Sequence, residues 1–212
     1  MARSYSDRWS VLRKRLPLVV LAVVLGLVAG ADRMGLFDPA PATDPATAPD
    51  ASADRETYDG KSFRVVEAID GDTFDIDIPD GRWPDTRIRL WGVDTPETHH
   101  PDKPRPDHFG PEASRFTRQL TLGKIVRIEL EPGAQTRGKH GRLLAWVYLP
   151  DGRLLNALLV EQGYAYADPR FAHHRMGQLR ALQRQAIRDG RGLWKDVRPA
   201  KLPGYFDGRI PR

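Results

Sequence analysis

The chain has 212 residues, of which 40% are hydrophobic and 29% charged, a globular composition that excludes fibrous and polytopic membrane classes. It has no cysteine, which rules out disulfide scaffolds, Cys-ligated zinc, iron–sulfur clusters and thiol nucleophiles; any metal must be held by oxygen or histidine. The net charge of +5 is unevenly spread: five cations and one anion give residues 1–31 a charge of +4, two cations and seven acids give 32–60 a charge of −5, and 61–212 carry +6. A basic domain of this size tolerates a polyanionic partner without requiring one.

Leu16 to Ala31 is an uncharged run of 16 residues preceded by Arg13-Lys14-Arg15. As a helix it reaches about 24 Å, short of the ~30 Å hydrocarbon core. The cations ahead of it keep the N-terminus inside, so the rest of the chain is exported. Two readings stay open for residues 1–31. Ala29-Gly30-Ala31 resembles a signal-peptidase site, whereas Met34-Gly35-Leu36-Phe37 prolongs the apolar stretch and suits an uncleaved anchor. Either way the location is extracytoplasmic: membrane-anchored through residues 16–31 if uncleaved, secreted or periplasmic otherwise. Residues 32–60 are rich in Pro, Ala and Asp, and Asp38 to Glu56 holds no aliphatic side chain larger than alanine. With so little to bury, this segment reads as an extended, disordered linker.

The folded domain is expected over 61–196. Phe63 to Ala68 reads as a strand, Thr73 to Ile78 alternates strictly, and Asp80-Gly81 turns the chain. Thr86, Ile88 and Leu90 mark a third strand. A loop over 98–110 holds three prolines and three histidines, which read as exposed. Gly110-Pro111-Glu112 opens a helix that Gly123 stops. Val126 to Leu130 and Leu143 to Leu149 are the fourth and fifth strands, Leu154 to Gln162 is a short helix, and Met176 to Ile187 a last one. The first three strands leave no room for crossover helices, which disfavours a parallel sheet. The pattern predicts an α+β chain: a five-stranded oligonucleotide-binding (OB-fold) β-barrel with about three helices, plus an N-terminal hydrophobic helix and the linker. Residues 197–212 form a tail with three prolines and no functional reading.

The chain has six Asp-Gly pairs, most of them simple turns. Asp70-Gly71-Asp72-Thr73 differs in setting Asp72 between a turn and a strand. Gly92-Val93-Asp94-Thr95-Pro96-Glu97 follows the third strand, and Pro96 biases Thr95 toward an extended conformation that aims its carbonyl. Asp72, Asp94 and the Thr95 carbonyl supply three oxygens of the kind a hard cation such as Ca²⁺ takes. Arg89 lies on the strand leading to Asp94, and Arg142 opens the fifth strand; a guanidinium grips a phosphate with two parallel hydrogen bonds. Carboxylates for a cation, a further acid and two arginines are the requirements of metal-assisted phosphodiester hydrolysis.

These blocks, with Gly110-Pro111-Glu112-Ala113, Gly141-Arg142 and Gly192-Leu193-Trp194, resemble the staphylococcal nuclease (thermonuclease) family over roughly 63–195. The resemblance implies a Ca²⁺-dependent nuclease acting on DNA and RNA. Asp72 and Asp94 would be metal carboxylates, with Thr95 lending its carbonyl. Glu97 would orient or deprotonate the attacking water. Arg89 and Arg142 would bind the scissile phosphate, with Lys139 and His140 as substrate contacts. Two positions depart from the family pattern. Gly138 stands where an acid is usual, four residues before Arg142, and His140 replaces an aromatic. The competing function is a nucleic-acid-binding OB-fold module that does not cut. Retention of all five catalytic side chains favours the enzyme, and nothing in the sequence points to an oligomer.

Overall fold

The computed structural model describes residues 51–99, 105–196, 202–207 and 209–211. The hydrophobic segment 16–31, most of the linker, His100 and the first residues of the tail lie outside them. Eleven helices and strands follow in order: α1 (Ala51–Tyr58), β1 (Ser62–Ala68), β2 (Thr73–Ile76), β3 (Thr86–Leu90), β4 (Val93–Asp94), α2 (Gly110–Thr121), β5 (Ile125–Glu129), β6 (Leu143–Tyr148), α3 (Leu155–Glu161), β7 (Tyr166–Ala167) and α4 (Met176–Arg188). Short 3₁₀ turns cover Gly192–Lys195 and Gly204–Phe206.

Five strands close into a barrel in the order β1-β2-β3-β6-β5, with β5 returning to pair with β1. All neighbours are antiparallel except β3 and β6, whose pairing sets Arg89 opposite Leu144. This is the expected OB-fold barrel. The alternation in β2 and β3 has its period-2 consequence: Phe74, Ile76, Ile88 and Leu90 point inward and are buried. Asp75, on the opposite face of β2, is covered by a bidentate hydrogen bond from Arg87 at 2.8 Å. Trp146, Val147, Leu155, Leu159 and Leu179 complete the core beneath α3 and α4. β4 and β7 form a separate two-stranded ribbon in which Asp94 faces Tyr166.

The linker reading over 32–60 does not hold for its last residues. Ala51–Tyr58 is a helix packed on the barrel, and its anchors come from far along the chain. Tyr58 enters the core and shares a 3.0 Å hydrogen bond with Thr86. Arg55 donates to the carbonyls of Glu131 and Ala134 at 2.8 and 3.0 Å. Asp54 accepts from Thr136 and Arg137. An eight-residue helix is marginal by propensity and is stabilised here by tertiary contacts, which local composition does not report.

Candidate active site

The β1–β2 turn delivers Asp72. Backbone N–H groups of Ile69 and Asp70 donate to the Thr73 carbonyl, and the Asp70 carboxylate accepts from the Asp72 N–H at 3.0 Å. Burial, partly opposed by Arg89, raises the Asp70 carboxyl above its ordinary 3.8. Gly71 is required by close approach: a Cβ there would lie 2.7 Å from the Thr95 side chain. The α2 residue Thr117 fixes the same turn by donating to the Gly71 carbonyl at 2.6 Å. Asp72 is thereby almost fully buried, and each of its oxygens is used. Oδ2 accepts from the Thr95 N–H at 2.7 Å and the Thr95 hydroxyl at 3.0 Å. Oδ1 accepts from Thr73 and pairs with Arg89.

Arg89 joins the two halves of the site. Its guanidinium bridges Asp72 Oδ1 and Asp94 Oδ1, the latter at 2.7 Å, and also donates to the Val93 carbonyl at 3.3 Å. The two carboxylates therefore converge on one position of positive charge. Oδ2 of Asp94 accepts from the Tyr205 hydroxyl at 2.8 Å and lies 3.2 Å from Arg170. Arg170 is itself held by a bidentate bond to the buried Asp168 and lies 4.5 Å over the Tyr205 ring. Burial first, then the Asp94 charge, pushes the Tyr205 phenol well above its ordinary range, so it remains a donor at neutral pH.

Glu97 follows on the exposed rim. Its backbone is clamped: the Asp107 N–H donates to the Glu97 carbonyl at 2.9 Å, and Gly110 at the start of α2 packs so closely on that carbonyl that no Cβ fits. Arg142 enters from β6. Among the described residues no carboxylate lies within ion-pair reach of it. Burial, then the Arg89 charge, holds it below the ordinary arginine range, against the opposing pull of Asp70 and Glu97. It stays charged, as a guanidinium always does in proteins, and a partly desolvated guanidinium has much to gain from an anion.

A cleft of about 610 Å³ is lined by Arg89, Asp94, Glu97, Lys139, His140 and Arg142, together with Arg170 and Phe171. Six of the eight predicted site residues thus line one cleft. Thr95 lines an adjoining cleft of about 490 Å³ that also holds Asp94 and Glu97 and is closed by Leu202, Pro203 and Gly204 of the tail. Asp72 sits behind both, joined through Arg89 and Thr95. Among the described residues no three His, Asp or Glu side chains form a metal cage. The candidate donor set remains two carboxylates and the Thr95 carbonyl. Hard oxygen donors of this kind fit a hard dication in chemistry.

Asp168, Arg170 and Tyr205 were not anticipated as site residues. Asp168-Pro169-Arg170 has no periodic signature, and Tyr205 is an isolated aromatic in a proline-rich tail. The loop carrying Lys139, His140 and Arg142 is tied down despite Gly138. Gly138 N–H donates to the Arg142 carbonyl at 2.9 Å, and Arg137 donates to the Gly141 carbonyl at 3.0 Å. Arg137 is in turn gripped by Asp54 of α1 and paired with Asp80. Burial would lower the Arg137 pKa, but its hydrogen bonds to Asp54 and Asp80 outweigh that and raise it. A carboxylate from α1 thus anchors the residue next to Gly138, within the same loop that lacks its usual acid.

The family model described as staphylococcal nuclease homologue matches residues 87–196. The chain belongs to the staphylococcal nuclease family. Within it, the thermonuclease of Staphylococcus intermedius is 43% identical over 108 residues, covering 51% of this chain and 60% of that relative. The thermonuclease of Staphylococcus hyicus is 32% identical over 151 residues, covering 70% of this chain and 84% of the relative. A protein named uncharacterized endonuclease from Escherichia coli O157:H7 is 33% identical over 136 residues, covering 64% of this chain and 78% of that protein. The family match includes Arg89, Asp94, Thr95, Glu97 and Arg142 and begins after Asp72. Helix α1 and the segment around Tyr205 lie outside the matched residues.

Proposed function

We propose that this chain is a Ca²⁺-dependent nuclease that hydrolyses phosphodiester bonds of DNA, RNA or both. The reading rests on its family, on relatives named thermonuclease and endonuclease, and above all on one observation: the Arg142 guanidinium, with no carboxylate in ion-pair reach among the described residues, shares a cleft with the Glu97 carboxylate and Asp94. Arg142 would take the scissile phosphate with two parallel hydrogen bonds and hold the charge that builds on its oxygens. Glu97, exposed and held by its clamped backbone, would accept the proton of the attacking water. Asp72, Asp94 and the Thr95 carbonyl would hold the dication, which when bound supplies Lewis-acid polarisation of the phosphate and a more acidic water. Lys139 adds positive charge and His140 a hydrogen-bonding ring to the cleft for the substrate backbone, and Phe171, half exposed in the same cleft, offers a ring for base stacking. The test is cleavage of linear DNA and RNA by the full chain with Ca²⁺ and with chelator. Activity in chelator, or dependence on Zn²⁺, would remove the calcium assignment.

The reading extends to location. The cations before Leu16 and the apolar run after them support export, with residues 1–31 as a signal peptide or an anchor. No helix among the described residues is long and apolar enough to cross a membrane. A reporter fused after residue 50 should appear outside the cytoplasmic membrane. N-terminal sequencing then distinguishes cleavage near Ala31 from an intact anchor, and a cytosolic reporter rejects both.

A further inference from the structure

The site contains a contact that the cleavage chemistry leaves unused. Tyr205, in the 3₁₀ turn Gly204–Phe206, donates to Oδ2 of Asp94 at 2.8 Å, while Oδ1 faces Arg89 and, across it, Asp72 Oδ1. The turn is seated by packing of its own. Phe206 lies 5.5 Å from the Tyr166 ring, and Leu202 and Phe206 cover the cluster of Tyr166, Ala186, Leu193 and Trp194. Tyr166 is the β7 residue opposite Asp94 in the ribbon, so the turn and the carboxylate share one support. Arg170 adds a second restraint, 3.2 Å from the same Oδ2 and stacked 4.5 Å over the Tyr205 ring.

We propose that Tyr205 is a positioning residue: the C-terminal turn, backed by Arg170, fixes the Asp94 carboxylate with Oδ1 turned toward Asp72, so that the two carboxylates are arranged in advance for a divalent cation. The inference rests on the assignment of Asp94 as a cation ligand. A carboxylate with both oxygens solvated rotates freely and must be ordered when an ion binds. One whose outer oxygen is tied to a phenol and a guanidinium has already lost that freedom. The segment that does this lies beyond the residues matched by the family model.

The test uses the full chain and Ca²⁺ alone, without substrate. Tyr205→Phe keeps the ring on Arg170 and Phe206 and removes one hydroxyl. Titration calorimetry should show a Ca²⁺ Kd raised about tenfold, the scale of one hydrogen bond to a charged group. The Ca²⁺ concentration for half-maximal cleavage should rise in parallel, with the metal-free melting temperature unchanged. An unchanged Kd reduces Tyr205 to a packing role and overturns the proposal. A lower Kd overturns it in the opposite sense, since the hydroxyl would then compete with the cation. Asp94→Asn run alongside separates the two levels. If it binds Ca²⁺ as the parent does, or if the parent takes up none, the metal assignment itself fails.

Discussion

Asp54→Asn in the full chain tests whether α1 is an integral part of the site's support. The Asp54 carboxylate accepts from the Thr136 hydroxyl at 2.6 Å and from Arg137 Nε and Nη2 at 2.9 and 2.7 Å. The Arg137 and Asp54 side chains are 9% and 6% exposed, so solvent screens this pair little. Removing one partner of a buried pair costs about 3–5 kcal/mol, because the remaining charge is left without compensation. Asp80 still faces Arg137, which puts the loss near the lower end, about 3 kcal/mol. At about 2–4 °C per kcal/mol for a domain of this size, the melting temperature should fall by about 6–12 °C. Circular dichroism melts of parent and variant measure it. The same variant should raise the KM for DNA, because Arg137 anchors the loop that carries Lys139, His140 and Arg142. A melting shift below about 2 °C with KM unchanged would refute the reasoning and return α1 to the status of a surface appendage.

Three further outcomes follow from other contacts. Gly71→Ala forces a Cβ to within 2.7 Å of Thr95, so stability should drop by about 1–3 kcal/mol and cleavage by about 10²-fold as Asp72 and Thr95 shift; parental kinetics would exclude that coupling. Glu131 is buried, which alone would raise its carboxyl, but bonds from the His174 and Trp146 N–H groups outweigh this and hold it below its ordinary 4.5. A depressed folded-state pKa gives stability that is complete above the unfolded value and is lost as pH falls through the folded one, so Glu131→Gln should flatten the acid limb of melting temperature against pH below about 4.5. Phe171→Ala should weaken binding of single-stranded DNA by about 1–3 kcal/mol, measured by fluorescence anisotropy, with little change in melting temperature.

The barrel was legible because its signals are local. Phe74, Ile76, Ile88 and Leu90 alternate strictly, and each of those inward positions is buried. β2 ends at Ile76 rather than Ile78 because the Ile78 N–H turns back to the Ile76 carbonyl and Asp80 bridges to Trp83. The ribbon of β4 and β7 is only two residues long on each side and leaves no periodic trace. Helix α1 escaped for a different reason: Ala-Ser-Ala-Asp reads as linker, and its partner Arg137 lies 83 positions further on. In the site, the Asp-Gly-Asp-Thr and Asp-Thr-Pro-Glu blocks pointed to Asp72, Asp94, Thr95 and Glu97 because turns and prolines carry local geometry. Arg89 held a surprise in its partners, since a strand position gives no sign that one guanidinium spans two carboxylates. Tyr205 had no local signal at all: its hydroxyl is held by Asp94 and its ring by Arg170, both far back in the chain, while the neighbouring Phe206 packs on Tyr166.

In the proposed function, this constellation cuts nucleic acid by cation-assisted attack of water, with Glu97 as the base. Its most direct test compares parent and Glu97→Gln on linear DNA and RNA with Ca²⁺, with chelator, and in a parallel binding assay on an uncleavable strand. Gln preserves the shape of Glu97 and cannot accept a proton. The parent should cleave with Ca²⁺ and not with chelator. Glu97→Gln should cleave at least ~10²-fold more slowly while binding the uncleavable strand much as the parent does. Cleavage by Glu97→Gln at the parental rate, or a parent that binds the strand with Ca²⁺ and never cuts it, would contradict the account.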